Sequence, residues 1–336
     1  MNLHTEKDAF RELIELTADS FGYEQSHVEK DYWISKILKE LASSAFASRI
    51  FFKGGTSLSK AYRITGRFSE DLDMFVFTSN ANSSKQSEKT LNRNVSHFIT
   101  ENNRDMYVEA LSKTGGDFRK LAFSYNTHYP SVGLKENLEV ELKCCMLDDK
   151  TVMYYPFESK RIQPIITEYL QHISNPSIIS RFGLEDFDIQ TISPKRTLCD
   201  KISRLTRLSY NDDFKTLIAK HIRDVYDIYK ILSLPEYQSF INSEDFSDAL
   251  RRVTNEDGLY KNSQLHNPIS KAQIFEHTRQ VLKFPSVSRA YNSELRKLMF
   301  NMDDLPALDD IIDCFYTLQS RLQAFDERTG RSLFAR

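Results

Sequence analysis

The chain has 336 residues, enough for one large domain or two ordinary ones, and 40% of them are hydrophobic. Its 45 basic and 47 acidic residues give a net charge of −2. That balance excludes a uniformly basic nucleic-acid coat protein and an acidic solvating tail. Glycine occurs 10 times, whereas a usual share of ~7% would give about 24. Scarce glycine argues against a doubly wound dinucleotide-binding fold and favours helices.

The residues give no sign of a membrane segment or a secretion signal. No apolar run reaches the roughly 18–20 residues that a membrane span requires. Charges are spread through the opening stretch MNLHTEKDAFRELIEL, so a signal peptide is not expected. The cysteines have the spacing of neither a zinc site nor a disulfide framework; they are Cys144, Cys145, Cys199 and Cys314. We interpret them as reduced core residues and expect a cytoplasmic protein without a membrane partner.

Helix and strand patterns alternate in the first half of the chain. Apolar residues at helical spacing predict helices over 6–20 and 26–42, the second with Ser26 as its N-cap. A short strand that ends at Lys53 and a helix from about Thr56 follow. Further strands are predicted at 72–77, 120–126, 137–147 and 151–157, and a helix at 86–103 follows a polar loop that starts at residue 78.

From Ile162 onward the pattern becomes mostly helical. Pro194 can open a helix because the first turn tolerates proline, and amphipathic helices are predicted at 194–208 and 217–233. We therefore expect an α+β (mixed α/β) fold. Residues 1–160 would form the catalytic core, a mixed sheet flanked by helices, and residues 161–336 a mainly helical domain that contributes to the site.

Gly54 and Gly55 stand side by side after a predicted strand and before a predicted helix. A turn of this kind exposes backbone N–H groups at a helix N-terminus, where they can bind phosphate oxygens. Glycine pairs in turns are common, so the pair alone says little about function.

The second element of the motif is the pair Asp71 and Asp73 on the next predicted strand. Residues two apart on a strand share a face. Two carboxylates on one face repel each other, and their desolvation is costly unless a cation lies between them. Carboxylate oxygens are hard ligands that suit Mg²⁺. A third carboxylate, Glu141 or else Glu139, would complete a two-metal site that activates an attacking oxygen and stabilises a leaving pyrophosphate. By spacing alone, a solvated strand edge is the alternative.

The string KGGTSLSKAYRITGRFSEDLD at 53–73 resembles the AbiEii-type nucleotidyltransferase toxins of abortive-infection toxin–antitoxin systems. These toxins belong to the nucleotidyltransferase superfamily with the DNA polymerase β-like fold. Further segments resemble the same family in the same order, at 28–33, 138–142, 193–201, 223–229 and 295–322. In the third of these, several residues depart from the usual pattern while Lys201 is retained.

The resemblance implies that the glycine turn holds the β- and γ-phosphates of a nucleoside triphosphate. Backbone and hydroxyl donors would come from Gly54, Gly55, Thr56 and Ser57. Asp71 and Asp73 would bind Mg²⁺, and Glu141 would bind a second metal ion and help to deprotonate the attacking hydroxyl. Lys143 stands where the family usually has a small residue, so it could pair with Glu141 and leave Glu139 as the ligand.

Four more residues receive roles from the resemblance. Arg67 is either a phosphate contact or a solvated loop charge. Ser69 is a functional serine near the phosphates, itself a candidate for modification, or it caps the turn into the strand. Lys201 would neutralise charge on the triphosphate, since nucleotidyl transfer depends mainly on positioning and electrostatics. Asp227 would orient Lys201 or a nearby arginine; the alternative is a salt bridge on a helix surface.

The resemblance implies a Mg²⁺-dependent nucleotidyltransferase toxin that transfers nucleotides from an NTP to an RNA acceptor, expected at the tRNA 3′ end. Blocked translation would inhibit growth, and a separately encoded antitoxin would control it. Between Ser193 and Lys230, nine Lys and Arg face five Asp, a local net charge of +4. An RNA-binding surface or a solvated helical face would explain this excess. The alternative functions are transfer to a protein or small-molecule hydroxyl, and a non-catalytic nucleotide-binding partner protein.

Overall fold

The computed structural model describes residues 2–79, 85–115, 118–131, 133–147, 157–256 and 268–329. The chain divides into two compact units. The sheet unit comprises Met1–Arg63 and Phe68–Ser193, and the helical unit comprises Ile64–Arg67 and Pro194–Arg336. Part of the loop predicted from residue 78 and nearly all of the strand predicted at 151–157 lie outside the described residues.

The sheet unit combines helices and strands, as its alternating patterns predict. Its strands are β1 (Ile50–Lys53), β2 (Asp71–Ser79), β3 (Phe118–Phe123), β4 (Leu138–Leu147), β5 (Phe157–Ile162) and β6 (Phe187–Ile192). Its helices are α1 (Lys7–Phe21), α2 (Gln25–Ala42), α3 (Gly54–Lys60), α4 (Lys85–Asn102), α5 (Ile165–His172) and α6 (Pro176–Phe182). One prediction was wrong in detail: Glu24 is the N-cap of α2, and Ser26 is buried inside its first turn.

The described residues form a six-stranded sheet in the order β3-β4-β2-β1-β6-β5. Strand β2 runs antiparallel to β1 and parallel to β4. Strand β6 runs parallel to β1 and antiparallel to β5. The sheet is therefore mixed, which confirms the predicted α+β fold class.

Strand β2 lies at the centre of the sheet and is buried on both faces. Leu72, Met74 and Val76 have no exposed surface and share one face, while Phe75 and Phe77 pack on the other. A central strand covered on both faces becomes a nearly continuous apolar run. Asp71 and Asp73 begin this strand on the phenylalanine face, so they lie at the polar end of an apolar stripe.

The first helix of the helical unit begins at Pro194, as predicted. Its helices are α7 (Pro194–Leu208), α8 (Phe214–Lys220), α9 (Ile222–Leu232), α10 (Pro235–Ile241), α11 (Glu244–Glu256), α12 (Gln273–Glu276), α13 (Thr278–Leu282), α14 (Pro285–Arg289) and α15 (Leu308–Thr329). The helix predicted at 217–233 is divided at His221, which is the C-cap of α8 and the N-cap of α9. Among the residues described, no helix is both long and apolar enough to cross a membrane.

The sheet extends further along the chain than its sequence pattern suggests. We expected the mixed half to end at about residue 160, but β6 pairs with β1 and β5, and the compact unit ends at Ser193. Strand β6 is short and lies between helical segments, and its partner β1 is distant in sequence. The pairing that makes it a strand is therefore absent from its local pattern.

Candidate active site

The acidic residues of β2 and β4 lie side by side. The two strands pair in parallel, with Asp71 opposite Glu139 and Asp73 opposite Glu141. Because side chains alternate along each strand, residues two apart point to the same side, and directly paired residues do as well. The structure thus brings all four carboxylates of the sequence motif to one face of the sheet.

Lysine side chains neutralise Glu139. The Nζ atom of Lys120 lies 2.6 Å from Glu139 Oε1, and the Nζ atom of Lys135 binds Glu139 Oε2. Burial by itself would raise the pKa of Glu139, but hydrogen bonds and charge from these two lysines outweigh it, so the pKa is lowered. The negative charge of Glu139 is therefore balanced by the two lysines.

Glu141 has a different environment, although it is two residues further along the same strand. Burial raises the pKa of Glu141, and the charge of Asp73 raises it further. Lys120 Nζ lies 4.0 Å from Glu141 Oε1, and the charges of Lys120 and Lys53 partly oppose the rise in pKa. Lys143, the partner considered from the sequence, lies opposite Phe75 in the strand register. Negative charge around Glu141 is thus only partly compensated.

Gly54 approaches the second aspartate closely. It opens helix α3 with a φ of +80°, a conformation that favours glycine. A Cβ atom built on Gly54 would lie 2.2 Å from Asp73 Oδ2 and 3.1 Å from Asp73 Cγ. The glycine turn and the carboxylate therefore share a space that a larger residue at position 54 would fill. Gly55 follows as the second residue of α3.

The hydroxyl groups after the glycines bind the protein itself. Thr56 is fully buried, and its Oγ1 lies 2.5 Å from the Asp71 carbonyl oxygen and 2.9 Å from Ser69 Oγ. A carbonyl only accepts, so the Thr56 hydroxyl donates to Asp71. Ser57 is also fully buried and donates to the Gly54 carbonyl at 2.9 Å. Both hydroxyls were predicted to hold phosphates; Thr56 instead fixes the turn against the start of β2, and Ser57 binds within the turn.

The side chains that β2 and β4 bring together are of the chemical kind that binds a divalent cation. They supply carboxylate oxygens, and the pKa of Glu141 is raised first by burial and then by the negative charge of Asp73. Within the part of the chain that the structure describes, no three His, Cys, Asp or Glu residues are gathered closely enough to hold a metal ion. Instead the Nζ atom of Lys135 lies 2.6 Å from Asp71 Oδ1 and also binds Glu139.

A second charged cluster lies in the helical unit. Arg67 makes two hydrogen bonds to Asp227, Nε to Oδ1 at 2.8 Å and Nη2 to Oδ2 at 2.7 Å. Lys201 on α7 lies 2.8 Å from Asp227 Oδ2 and 2.7 Å from Asp224 Oδ1. Asp227 has no exposed surface, and Arg67 is 2% exposed. The cluster is buried, whereas the sequence alternatives included a solvated loop charge and a helix-surface salt bridge.

Burial and ion pairing act in opposite directions on these aspartates. Burial alone would raise the pKa of Asp227, but Arg67 and Lys201 outweigh it and the pKa is lowered. Burial alone would also raise the pKa of Asp224, but Lys201 and Arg204 outweigh it, so that pKa is lowered as well. Asp227 therefore contacts both cations that the sequence proposed for it, the lysine and an arginine, and both aspartates are charged in the folded protein.

A comparison with known protein families gives the family of this chain. The model of the family described as nucleotidyl transferase AbiEii toxin, type IV toxin–antitoxin system, matches residues 36–314. The chain belongs to the AbiEii nucleotidyltransferase toxin family. The resemblance stated from the sequence is confirmed, and the protein is a nucleotidyltransferase.

The AbiEii chain is similar to the solved structure of MenT4, a nucleotidyltransferase toxin from Mycobacterium tuberculosis H37Rv, at 16% identity and a TM-score of 0.46. The alignment covers 95% of this chain and 96% of MenT4. Among curated proteins, no match was found.

In each of the two charged clusters of this AbiEii protein, the structure adds residues that the sequence did not indicate. Asp224 lies three residues before Asp227, hence on the same helix face, and that spacing could have indicated it. Lys120 and Lys135 reach the carboxylates from β3 and from the segment before β4. No local pattern marks them, because their position depends on strand pairing.

Proposed function

We propose that this AbiEii protein transfers a nucleotide from an NTP to an RNA acceptor, the 3′ end of tRNA, with Mg²⁺ held by Asp71, Asp73 and Glu141. The observation that carries the proposal is the strand register, which aligns Asp73 with Glu141 on one face of the sheet. Glu141 is preferred to Glu139 as the third ligand because Lys120 and Lys135 already neutralise Glu139.

When bound, Mg²⁺ would polarise phosphate oxygens and make the attacking hydroxyl more acidic. The chain's own residues hold and orient the reactants. The backbone N–H groups of Gly54 and Gly55 would donate to the phosphates, because the Thr56 and Ser57 hydroxyls are engaged in the turn. The Glu141 carboxylate would accept the proton of the attacking hydroxyl. Ser69, which is 7% exposed, supports the turn through Thr56.

Lys201 is proposed to bind the triphosphate, because its segment at 193–201 resembles the corresponding segment of the family. Asp224 and Asp227 hold its ammonium group at 2.7 and 2.8 Å, which fixes its position. Arg67 is proposed to act through Asp227, which it binds with two hydrogen bonds.

The partners follow from the family and from charge. A type IV toxin–antitoxin system implies an antitoxin and an NTP. Support for an RNA acceptor is the excess of four positive charges between Ser193 and Lys230, which suits a phosphate backbone. We propose that transfer to tRNA blocks translation and thereby inhibits growth.

The test is transfer of label from each α-labelled NTP in turn to total tRNA, with and without Mg²⁺. The Asp71→Asn variant removes one negative charge with little change in size, and Asp309→Asn is its matched control because Asp309 is exposed and pairs with Lys283. We expect label on tRNA from one NTP, lost in Asp71→Asn and without Mg²⁺, and unchanged in Asp309→Asn. Label on protein or a small molecule but not on RNA would contradict the proposed acceptor.

A further inference from the structure

Lys135 occupies an unusual place on the carboxylate face. Its Nζ atom lies 2.6 Å from Asp71 Oδ1 and also binds Glu139 Oε2. It therefore bridges two neighbouring strands at the first aspartate of the metal-binding motif. Its side chain is 38% exposed and that of Asp71 is 27% exposed, so the contact is open to solvent and to ions.

The backbone N–H and carbonyl groups of Lys135 are both hydrogen-bonded. Its N–H donates to Glu70 Oε2 at 2.8 Å, and its carbonyl accepts from Lys30 Nζ at 2.5 Å. Lys30 and Glu70 form an ion pair with each other at 2.8 Å, and they are 0% and 4% exposed. A buried ion pair thus clamps the peptide of Lys135 beside the residue that precedes Asp71.

A buried ion pair contributes little net stability, because the desolvation of two charges offsets their attraction. Its best-attested use is to fix one arrangement among several. The arrangement fixed here is the position of Lys135 relative to β2. The clamp holds the lysine backbone, while its four-carbon side chain remains free to rotate between partners.

We propose that Lys135 is a positioning residue that competes with the divalent cation for Asp71 and so sets the metal concentration that the enzyme requires. The inference rests on the proposed function, since it assumes that Asp71 is a metal ligand. The ammonium group of Lys135 binds both Asp71 and Glu139. A divalent cation must displace it from Asp71, because two positive charges at one carboxylate repel each other.

The test measures Mn²⁺ binding to the whole purified protein by electron paramagnetic resonance of free Mn²⁺, without any substrate. Removal of the competing charge in Lys135→Gln should tighten binding about fivefold, equal to about 1 kcal/mol because tenfold is 1.4 kcal/mol. This size is that of a partly exposed ion pair. Lys135→Arg keeps the positive charge and should retain the wild-type affinity.

One control tests whether Mn²⁺ binds at Asp71, and a second tests whether the loss of any paired lysine has the same effect. Asp71→Asn should remove the tight Mn²⁺ binding in both the wild-type and the Lys135→Gln background. Lys39→Gln removes another glutamate-paired lysine of the sheet unit, whose partner is Glu185, and should leave Mn²⁺ affinity unchanged. Urea denaturation of every variant shows that each is folded.

The outcomes separate the two proposals. Unchanged or weaker Mn²⁺ binding in Lys135→Gln, with binding still lost in Asp71→Asn, would overturn the role of Lys135 and leave the metal site standing. If Asp71→Asn leaves Mn²⁺ binding unchanged in both backgrounds, this inference and the proposed ligand set are both overturned. Transfer of label to tRNA by the wild-type protein would still test the activity independently.

Discussion

Replacement of Gly54 by alanine tests the geometry of the proposed phosphate turn most directly. The change adds one methyl group at a residue whose φ is +80°. That methyl group would lie 2.2 Å from Asp73 Oδ2, 3.1 Å from Asp73 Cγ and 3.2 Å from Asp73 Cβ. Rotation of the carboxylate relieves the first contact, but the other two require the start of β2 to shift as well.

The expected loss of stability has two parts. A left-handed conformation costs an alanine about 1–2 kcal/mol relative to glycine. Overpacking against Asp73 adds about 1–3 kcal/mol. We therefore expect Gly54→Ala to lower the free energy of unfolding by about 2–5 kcal/mol. A displacement of roughly 1 Å in a catalytic group costs about 100-fold in rate, so nucleotidyl transfer should fall by about that factor.

The matched control is Gly22→Ala. Gly22 has a φ of +69°, close to that of Gly54, but a Cβ atom there meets nothing within 4 Å. Gly22→Ala should therefore lower the free energy of unfolding by the conformational cost alone, about 1–2 kcal/mol. Its nucleotidyl transfer should be unchanged. Urea denaturation and label transfer are measured for both variants. Equal losses of stability in the two variants, together with full activity of Gly54→Ala, would refute the close approach of the turn to Asp73.

The remaining predictions concern the buried charges of the helical unit. Asp227→Asn leaves Arg67 and Lys201 less compensated and should lower the free energy of unfolding by about 3–5 kcal/mol in urea denaturation, whereas Asp309→Asn, whose carboxylate is exposed, should change it little. Since the pKa values of Asp224 and Asp227 are lowered on folding, their contribution is complete above the ordinary aspartate pKa of about 3.9 and is lost as the pH falls below it. An unfolding free energy measured from pH 6 downward should decline on acidification, and a decline equally steep in Asp227→Asn would contradict this assignment.

Local patterns predicted the elements that carry the motif. Aromatic and branched residues located β2, alternation located β4, and the spacing of Asp71 and Asp73 placed them on one face before any pairing was known. The parallel register, by contrast, follows from contacts between strands that are distant in sequence: the paired residues Asp73 and Glu141 are 68 positions apart. No local pattern encodes such pairing, so the choice between Glu139 and Glu141 stayed open in the sequence.

The environment of the charged residues was harder to predict than their identity. Arg67 and Asp227 were named from the family resemblance, but sequence alone suggested solvated alternatives for both. Each is buried because the other is present, and a charge is rarely buried without its partner. Lys135 was missed for the same physical reason, since its contact with Asp71 depends on the fold and not on a spacing along the chain.

Helix α2 shows why the family resemblance extends beyond the glycine turn and the carboxylates. Glu29, Lys30 and Asp31 are consecutive charged residues with at most 3% exposure. Their partners are the Thr127 hydroxyl and the His128 N–H for Glu29, Glu70 and the Lys135 carbonyl for Lys30, and Lys60 and the Ile165 N–H for Asp31. Loss of one partner from such a pair costs far more than the pair contributes. The helix therefore fixes the segments that flank β2, including the clamp that holds Lys135, without itself contributing a carboxylate to the proposed metal site.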